Sequence, residues 1–273
     1  MKVGVIISTY NNPKWLSKTL AGYTLQTERP DEVIVADDGS GEETKKLIDS
    51  FRDRLPIRHV WHEDRGFQKS EILNKAIMAS EADYLIFTDQ DCIPRNDFVA
   101  VHKALAERGR FLSGGVYKLC MEASEAITPE DIKSGNAFIL SWLKGHGQST
   151  NLKGIIKSIR LTRNATVARI MNVISPRAKT FNGCNSSCWR TDAIAVNGYD
   201  ESLHYGGQDR EFGMRLTNNG IRAKQIAFSA ITLHLDHSRP YKTPESVEAN
   251  KRTRRHTKEA HVTRTPNGIV KEQ

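Results

Sequence analysis

The sequence predicts an α/β protein in which a Rossmann-like, mostly parallel sheet is flanked by helices. Short apolar, β-prone runs alternate with amphipathic runs from Val3 to Thr88, and this alternation favours parallel strands joined by helical crossovers. A polar cluster follows each of the first four apolar runs, at the edge where parallel sheets bind ligands. A basic, partly apolar segment then interrupts the pattern and predicts a helical insert.

Four strands are predicted in the first part of the chain because each run is short, apolar and β-prone: Val3–Ser8, Glu32–Ala36, Ile57–Trp61 and Tyr84–Thr88. Apolar residues at helical spacing predict the helices between them: Lys14–Leu25, Glu42–Phe51 and one within Gly66–Ala79. The polar clusters at the strand ends are Ser8–Asn12, Asp37–Ser40, His62–Arg65 and Asp89–Asp91.

After Asn96 the alternation weakens. The predicted elements are a helix over Asp97–Glu107, a strand with a glycine bend over Phe111–Leu119, one or two helices within Asn151–Ser175, a short helix over Thr191–Val196, a helix over Asp209–Thr217 and a strand over Ala223–Ala227. We expect Thr232–His237 to close the folded part, because the chain from about Tyr241 is polar and basic without a core period.

The composition of the 273 residues is that of a folded protein, with 38% hydrophobic and 26% charged residues. No apolar run approaches the roughly 18–20 residues of a membrane span. The apolar start is interpreted as a first strand rather than a signal peptide. The four cysteines do not have zinc-site spacing, so we expect reduced thiols and a cytoplasmic protein.

Asp89 and Asp91 follow the fourth predicted strand and, if the backbone stays extended, project to the same side. Two such carboxylates repel unless a hard cation lies between them, although an acidic turn exposed to solvent explains an isolated Asp-x-Asp equally simply. His234 and His237 supply imidazoles that can join a metal site, or they are ordinary packed histidines.

Asp209 follows Gly206-Gly207 at a predicted helix start. A carboxylate there can act as a general base toward a bound hydroxyl, or it can simply cap the helix. Glu211 and Arg215, four residues apart, are expected to pair along that helix.

Taken together, several motifs resemble known enzymes. Four segments resemble the nucleotide-binding half of family 2 glycosyltransferases: Ile7–Asn11, Val35–Ser40, Asp64–Phe67 with Leu73–Lys75, and Phe87–Asp91. Three more resemble the acceptor half shared with the β-1,4-galactosyltransferase C-terminal region: Phe181–Asn185, Asn197–Glu201 and Gly206–Phe212.

The resemblance implies a GT-A fold and an inverting, metal-dependent transfer of a sugar from a UDP-sugar to a hydroxyl of a glycan or lipid-linked glycan. By position it implies that Asp209 is the catalytic base and that Mn²⁺ or Mg²⁺ is bound by Asp91, His237 and, more weakly, His234. The implied nucleotide-sugar-binding residues are Ser8, Tyr10, Asp38, Arg65, Asp89 and Gly207. Gln208 stands where the galactosyltransferases carry a glutamate, which leaves the preference for donor or acceptor open.

The resemblance also suggests a domain organisation. We predict one glycosyltransferase domain over residues 1–240, with a nucleotide-sugar-binding half (1–120), a basic insert (121–180) and an acceptor and catalytic half (181–240). Residues 241–273 are predicted to be a basic C-terminal tail.

Basic charge is concentrated in the insert. The chain has a net charge of +8, yet ten Lys and Arg residues and no Asp or Glu lie between Ile132 and Thr191. Such a segment can lie on an anionic membrane surface, here the inner face of the cytoplasmic membrane, it can bind a phosphorylated acceptor, or it can be a solvated helical pair.

We therefore predict an enzyme of surface-glycan (lipopolysaccharide or capsule) biosynthesis. The alternatives are a sugar nucleotidyltransferase and a nucleic-acid-binding protein. The glycine- and lysine-rich start typical of the first is absent, and the insert lacks the closely spaced aromatic residues on which bases stack, so no nucleic-acid partner is expected.

Overall fold

Two sheets organise the protein. The structure is a computed structural model that describes residues 1–149, 151–238 and 243–271. The strands within these residues are β1 Val3–Thr9, β2 Glu32–Asp37, β3 Ile57–Trp61, β4 Tyr84–Asp89, β5 Cys92–Pro94, β6 Arg110–Ser113, β7 Gly115–Lys118, β8 Ser186–Trp189, β9 Arg222–Gln225 and β10 Ile231–His234. Seven form a sheet in the order β3-β2-β1-β4-β8-β6-β9, and three form a sheet in the order β5-β10-β7.

The large sheet is mostly parallel, as predicted. β1 pairs in parallel with both β2 and β4, whereas β8 runs antiparallel to β4 and β6. The chain winds outward from β1 to β3 and then returns to place β4 on the other side of β1, which opens a crevice at the carboxyl ends of β1 and β4.

Helices cover the sheet on two faces. They are α1 Pro13–Thr24, α2 Glu42–Asp49, α3 Lys69–Ala79, α4 Phe98–Leu105, α5 Met121–Ala126, α6 Pro129–Ser134, α7 Leu140–Gly145, α8 Leu152–Ser158, α9 Ala165–Ile174, α10 Arg190–Ala195, α11 Gln208–Asn218 and α12 Pro244–Glu259. Because strand side chains alternate, Val5 and Ile7 pack into one buried cluster with Leu16 of α1, while Ile6 packs with Ile72 of α3 in the other. None of the described helices is both long and apolar enough to cross a membrane.

The predicted strand over Phe111–Leu119 is divided between the two sheets. β6 ends at Ser113 in the large sheet, and β7 begins at Gly115 in the small one. The glycine bend predicted there is Gly114, where a Cβ atom would lie 1.8 Å from Asn185 Oδ1. Only glycine permits this close approach.

The sequence did not predict β8. Its segment is small and polar, yet Ser186 and Ser187 are fully buried between β4 and β6. The Ser187 hydroxyl is 2.8 Å from the Tyr84 hydroxyl and 2.7 Å from His102 Nδ1. Hydrogen bonding allows these polar side chains to be buried, so hydrophobic periodicity does not detect the strand.

The prediction that the folded part closes at His237 is wrong, because α12 packs on α11. Buried Asn250 donates hydrogen bonds from Nδ2 to the carbonyl oxygens of His204 (2.7 Å) and Gly206 (3.2 Å). Thr257 donates one of 3.0 Å to Glu211 Oε1. α12 is held by polar contacts rather than by an apolar face, which is why the sequence shows no core period there.

Other local predictions are confirmed. The segment Asn151–Ser175 contains two α-helices, α8 and α9, and Asn164 caps the second by accepting hydrogen bonds from the amides of Thr166 and Val167. Glu211 and Arg215 pair within α11 at 2.8 Å, and both side chains are almost completely buried.

His102 is expected to make stability depend on pH. Burial lowers the pKa of His102 from 6.5 to about 4. In the pH window between these two values the unfolded chain binds a proton at His102 and the folded protein does not. The unfolding free energy should be at its full value above pH 6.5 and fall by about 3 kcal/mol as the pH drops through the window. Urea denaturation of wild type and His102→Gln across the window measures this. Equal slopes for the two proteins would contradict the assignment.

Candidate functional site

A pocket of ≈ 420 Å³ lies at the carboxyl ends of β1 and β4. Seven of the ten residues predicted for the site line it: Ser8, Tyr10, Asp38, Asp89, Asp91, His234 and His237. They come from four separate parts of the sequence, at or just beyond the ends of β1, β2, β4 and β10. We call this the donor pocket, after the nucleotide-sugar donor that the sequence resemblance predicts for it.

Asp89 is bound at the floor of the donor pocket by two donors. The parallel register places Ser8 beside Asp89, and the Ser8 hydroxyl donates a hydrogen bond of 2.7 Å to Asp89 Oδ1. Lys69 Nζ lies 2.6 Å from the same oxygen. Although burial alone would lower the pKa of Lys69, the carboxylates of Asp89, Asp209 and Asp91 raise it, so the ammonium stays charged.

Lys69 is a site residue that the sequence analysis missed. It is the first residue of α3, where the helix dipole disfavours a cation. A nearby anion offsets this small cost, so a lysine at a helix start is the weak signal that the sequence carried.

Asp91 has different partners from Asp89. Asp91 lies in the turn between β4 and β5. The backbone therefore does not stay extended from Asp89 to Asp91, which was the condition for the two carboxylates to project to the same side. Asp91 Oδ2 is 2.9 Å from His237 Nε2 and 3.6 Å from His234 Nε2. Burial alone would raise the pKa of Asp91, but the two histidines lower it to about 2.

The small sheet assembles this cluster. β10 pairs antiparallel with β5, which sets His234 opposite Cys92, and the Leu235 amide donates a hydrogen bond of 2.9 Å to the Asp91 carbonyl oxygen. One ligand atom from each of Asp91, His234 and His237 lies within 4.8 Å of the other two. A buried carboxylate and two imidazole nitrogens that converge in this way fit a divalent cation.

Asp209 is the second residue of α11, which begins directly after Gly206 and Gly207, two glycines with φ values of 116° and 98°. Gly183 lies against the carboxylate of Asp209, and Asp209 Oδ1 is buried without a hydrogen-bond partner among the described residues. A Cβ atom at position 183 would lie 2.5 Å from that oxygen. Burial raises the pKa of Asp209, Lys69 opposes the shift and Asp89 adds to it. Such a carboxylate can accept a proton from a hydroxyl placed against it.

α12 holds the turn before Asp209. Arg254 Nη1 donates a hydrogen bond of 2.7 Å to the Gly206 carbonyl oxygen, beside the bond from Asn250. Gly207 faces this guanidinium, since a Cβ atom there would lie 2.0 Å from Arg254 Nη1. Gly207 does not line the donor pocket, and its role in nucleotide-sugar binding stays a prediction.

The remaining predicted residues differ in placement. Asp38 is buried, and burial raises the pKa of its carboxyl group. It accepts a hydrogen bond of 3.0 Å from the Gln68 amide and one of 2.7 Å from His62, in the tautomer that carries the proton on Nε2. The Tyr10 hydroxyl donates a hydrogen bond of 2.8 Å to Asp64. Arg65 pairs with Glu71 at 2.9 Å and does not line the donor pocket, so its contact with base or phosphates stays a prediction.

Two family models match the chain. The model described as glycosyl transferase family 2 matches residues 4–165, and the model described as N-terminal domain of galactosyltransferase matches residues 168–238. The first model therefore also covers residues 121–165 of the predicted insert, whereas α12 lies beyond both models.

Among curated proteins, hyaluronan synthase of Pasteurella multocida is 30% identical over 239 residues. The match covers 82% of this chain but only 24% of the synthase, so the chain corresponds to about a quarter of that relative.

Solved structures share the fold. S. aureus TarS (residues 1–349) in complex with UDP-GlcNAc has a TM-score of 0.59 and 17% identity, over 88% of this chain and 60% of that one. The mannosyltransferase PcManGT from Pyrobaculum calidifontis, in complex with GDP-Man and Mn²⁺, has a TM-score of 0.55 and 19% identity, over 95% and 62%. These similarities establish a GT-A glycosyltransferase fold.

Proposed function

Because the chain belongs to glycosyl transferase family 2, we propose that it moves a sugar from a UDP-sugar to a hydroxyl of a saccharide or lipid-linked saccharide, with inversion at the anomeric carbon. The observation that carries the proposal is the donor pocket, where the cluster of Asp91, His234 and His237 lies at one strand end and Lys69 connects Asp89 to Asp209 electrostatically. Family membership favours sugar transfer over the nucleotidyltransferase and nucleic-acid-binding alternatives.

Asp91, His237 and His234 would hold Mn²⁺ or Mg²⁺. When bound, such an ion supplies positive charge that offsets the charge of the leaving diphosphate. The solved structure of PcManGT contains Mn²⁺ beside GDP-Man, which supports a divalent ion in a fold of this kind.

The protein's own residues provide binding and proton transfer. Ser8, Tyr10 and Asp38 would line the nucleoside, and Lys69 would fix the Asp89 carboxylate near the ribose. Asp209 would accept the proton of the acceptor hydroxyl as its oxygen attacks the anomeric carbon. A single displacement of this type inverts the configuration.

The direct test is nucleotide release from a panel of UDP-sugars and GDP-mannose, with Mn²⁺ and mixed saccharide acceptors. We expect Mn²⁺-dependent release of UDP from at least one UDP-sugar, and an anomeric configuration in the product opposite to that of the donor. Exclusive release of GDP, or retention of configuration, would contradict the proposed donor or mechanism.

We further propose that the insert contacts an anionic membrane surface during surface-glycan synthesis. Seven large apolar side chains are exposed on and beside α8 and α9, with exposed fractions from 36% to 78%: Ile155, Ile156, Ile159, Val167, Ile170, Val173 and Ile174. They lie in the acid-free segment that carries ten basic residues. Exposed apolar and basic residues together favour the interface of an anionic bilayer.

Vesicle sedimentation tests this contact. Val173→Ser combined with Ile174→Ser should release the protein from phosphatidylglycerol vesicles, because each removed side chain contributes apolar burial. Val270→Ser, which alters a similarly exposed valine (55%) in the tail, is the matched control. Binding that is equally strong to neutral vesicles, or unchanged in the double variant, would exclude the contact.

A further inference from the structure

A second cleft, of ≈ 550 Å³, runs along α11, and none of its residues has been given a role so far. Its rim carries four basic side chains, and its floor is partly apolar. The rim residues are Lys179, Arg210, Lys258 and His261, and Phe181 and Met214 contribute to the floor. We call it the basic cleft.

The positive charge of the basic cleft is not neutralised from within the protein. Glu259 is the only acidic residue among those that line it. Within residues 1–149, 151–238 and 243–271, none of the four rim side chains forms a salt bridge. By contrast, Lys14, Lys224 and Lys271 are each paired with a glutamate. The rim side chains are close enough to repel one another, and an anionic ligand would relieve this repulsion.

The basic cleft begins beside the candidate base. Arg210 follows Asp209 on α11 and acts electrostatically on its carboxylate. The segment that contributes Lys179 and Phe181 continues to Gly183, which lies directly against that carboxylate. Asp209 in turn interacts with Lys69 and Asp89 of the donor pocket. The basic cleft therefore begins one residue along α11 from the candidate base.

The length of the basic cleft suits a chain-like ligand. Lining residues extend along α11 from Arg210 to Asn218, eight residues at 1.5 Å each, or about 12 Å. Basic groups along the rim can pair with anions on an extended saccharide, while Met214 offers apolar surface to the faces of its rings.

We propose that the basic cleft is an acceptor subsite that binds the anionic groups of a polysaccharide, either carboxylates of uronic acids or backbone phosphates. This inference rests on the proposed function, because it takes Asp209 as the point where the acceptor hydroxyl reacts. It gives the acceptor a chemical class that the family assignment leaves open.

The test measures equilibrium binding of three oligosaccharides to the full chain with UDP and Mn²⁺ present: a hyaluronan tetrasaccharide, a ribitol-phosphate oligomer and neutral chitotetraose. We expect at least one anionic ligand to bind more tightly than chitotetraose, and its affinity to fall with added salt. Lys179→Gln combined with Lys258→Gln should weaken that ligand by about tenfold, since two charge-assisted contacts are lost. The preferred anion identifies carboxylate or phosphate as the recognised group.

The matched control is Lys46→Gln, which removes an exposed lysine of α2, near the opposite edge of the large sheet. Equal binding of charged and neutral ligands, or equal losses in the double variant and the control, would overturn the inference. Lys179 and Lys258 are both exposed, so the temperature of thermal unfolding should be unchanged in the double variant. UDP binding measured on the same proteins reports separately on the donor pocket, so failure of the proposed function and failure of this subsite are distinguishable.

Discussion

Replacing Asp209 by asparagine is expected to lower kcat by about 10²–10⁴-fold, the usual contribution of a general base. The amide keeps the shape of the side chain but cannot accept the proton of the attacking hydroxyl. The KM for the donor should change little, because Asp209 does not line the donor pocket. Single-turnover kinetics on the variant, with UDP binding as the check on the donor pocket, measure the effect.

The pH dependence of kcat gives an independent test of the same role. Asp209 must be deprotonated to act as a base, so kcat falls as the pH drops through its pKa. Burial raises that pKa above the ordinary aspartate value of 3.8, and the acidic limb should therefore lie at higher pH than for an exposed aspartate. Asp209→Asn should lose this limb.

Asp192→Asn provides the matched control. Asp192 is also a partly buried aspartate whose pKa is raised by burial and whose Oδ2 has no partner within the described residues, but it lies on α10 outside the donor pocket. Its replacement should leave kcat unchanged. Full turnover by Asp209→Asn, or an equal loss in both variants, would exclude Asp209 as the base.

The second large effect is expected at Asp91. Asp91→Ala removes the carboxylate on which His234 and His237 converge, and we expect a loss of turnover of at least about 10²-fold together with weaker Mn²⁺ binding. His237→Ala should cost more than His234→Ala, because the His237 imidazole is 2.9 Å from Asp91 and that of His234 is 3.6 Å away. Calorimetric titration of Mn²⁺ in the presence of UDP compares the three variants.

Chelation tests the same cluster without mutation. Wild-type activity should disappear with EDTA and return with Mn²⁺, whereas Asp91→Ala should respond weakly to either. Asp53→Ala, a change of an exposed aspartate outside the donor pocket, serves as the control. Full activity in EDTA, or Mn²⁺ affinity that is unchanged by Asp91→Ala, would exclude the metal role of this cluster.

The first half of the fold was predictable because its signals are local. Ile57–Trp61 has the observed limits, and the other three strands begin where the sequence places them. Apolar runs determine β1, β2 and β4 by burial on both faces, whereas β3 at the sheet edge is only partly buried. Polar residues end β1, β2 and β4 at the edge that forms the donor pocket. The division of Phe111–Leu119 into β6 and β7 was not predictable, since it depends on how closely Asn185 approaches Gly114.

The sequence by itself determined the α/β class and the strand ends that carry the candidate site. It also pointed to three elements of the chemistry: Asp89 with Asp91, Asp209, and the histidines near position 235. These features follow from periodicity and short motifs, which depend on residues a few positions apart.

Only the tertiary structure decided which side chain each of these residues contacts. Asp89 and Asp91 are two residues apart, yet Asp89 pairs with Lys69 and Asp91 with His237. The first pairing depends on the packing of α3 against the sheet, and the second on the pairing of β10 with β5 across more than a hundred residues of chain. The same holds for α12, whose buried hydrogen bonds support the turn before Asp209. A side chain's partner is set by which elements meet in space, and no local pattern in the sequence encodes that.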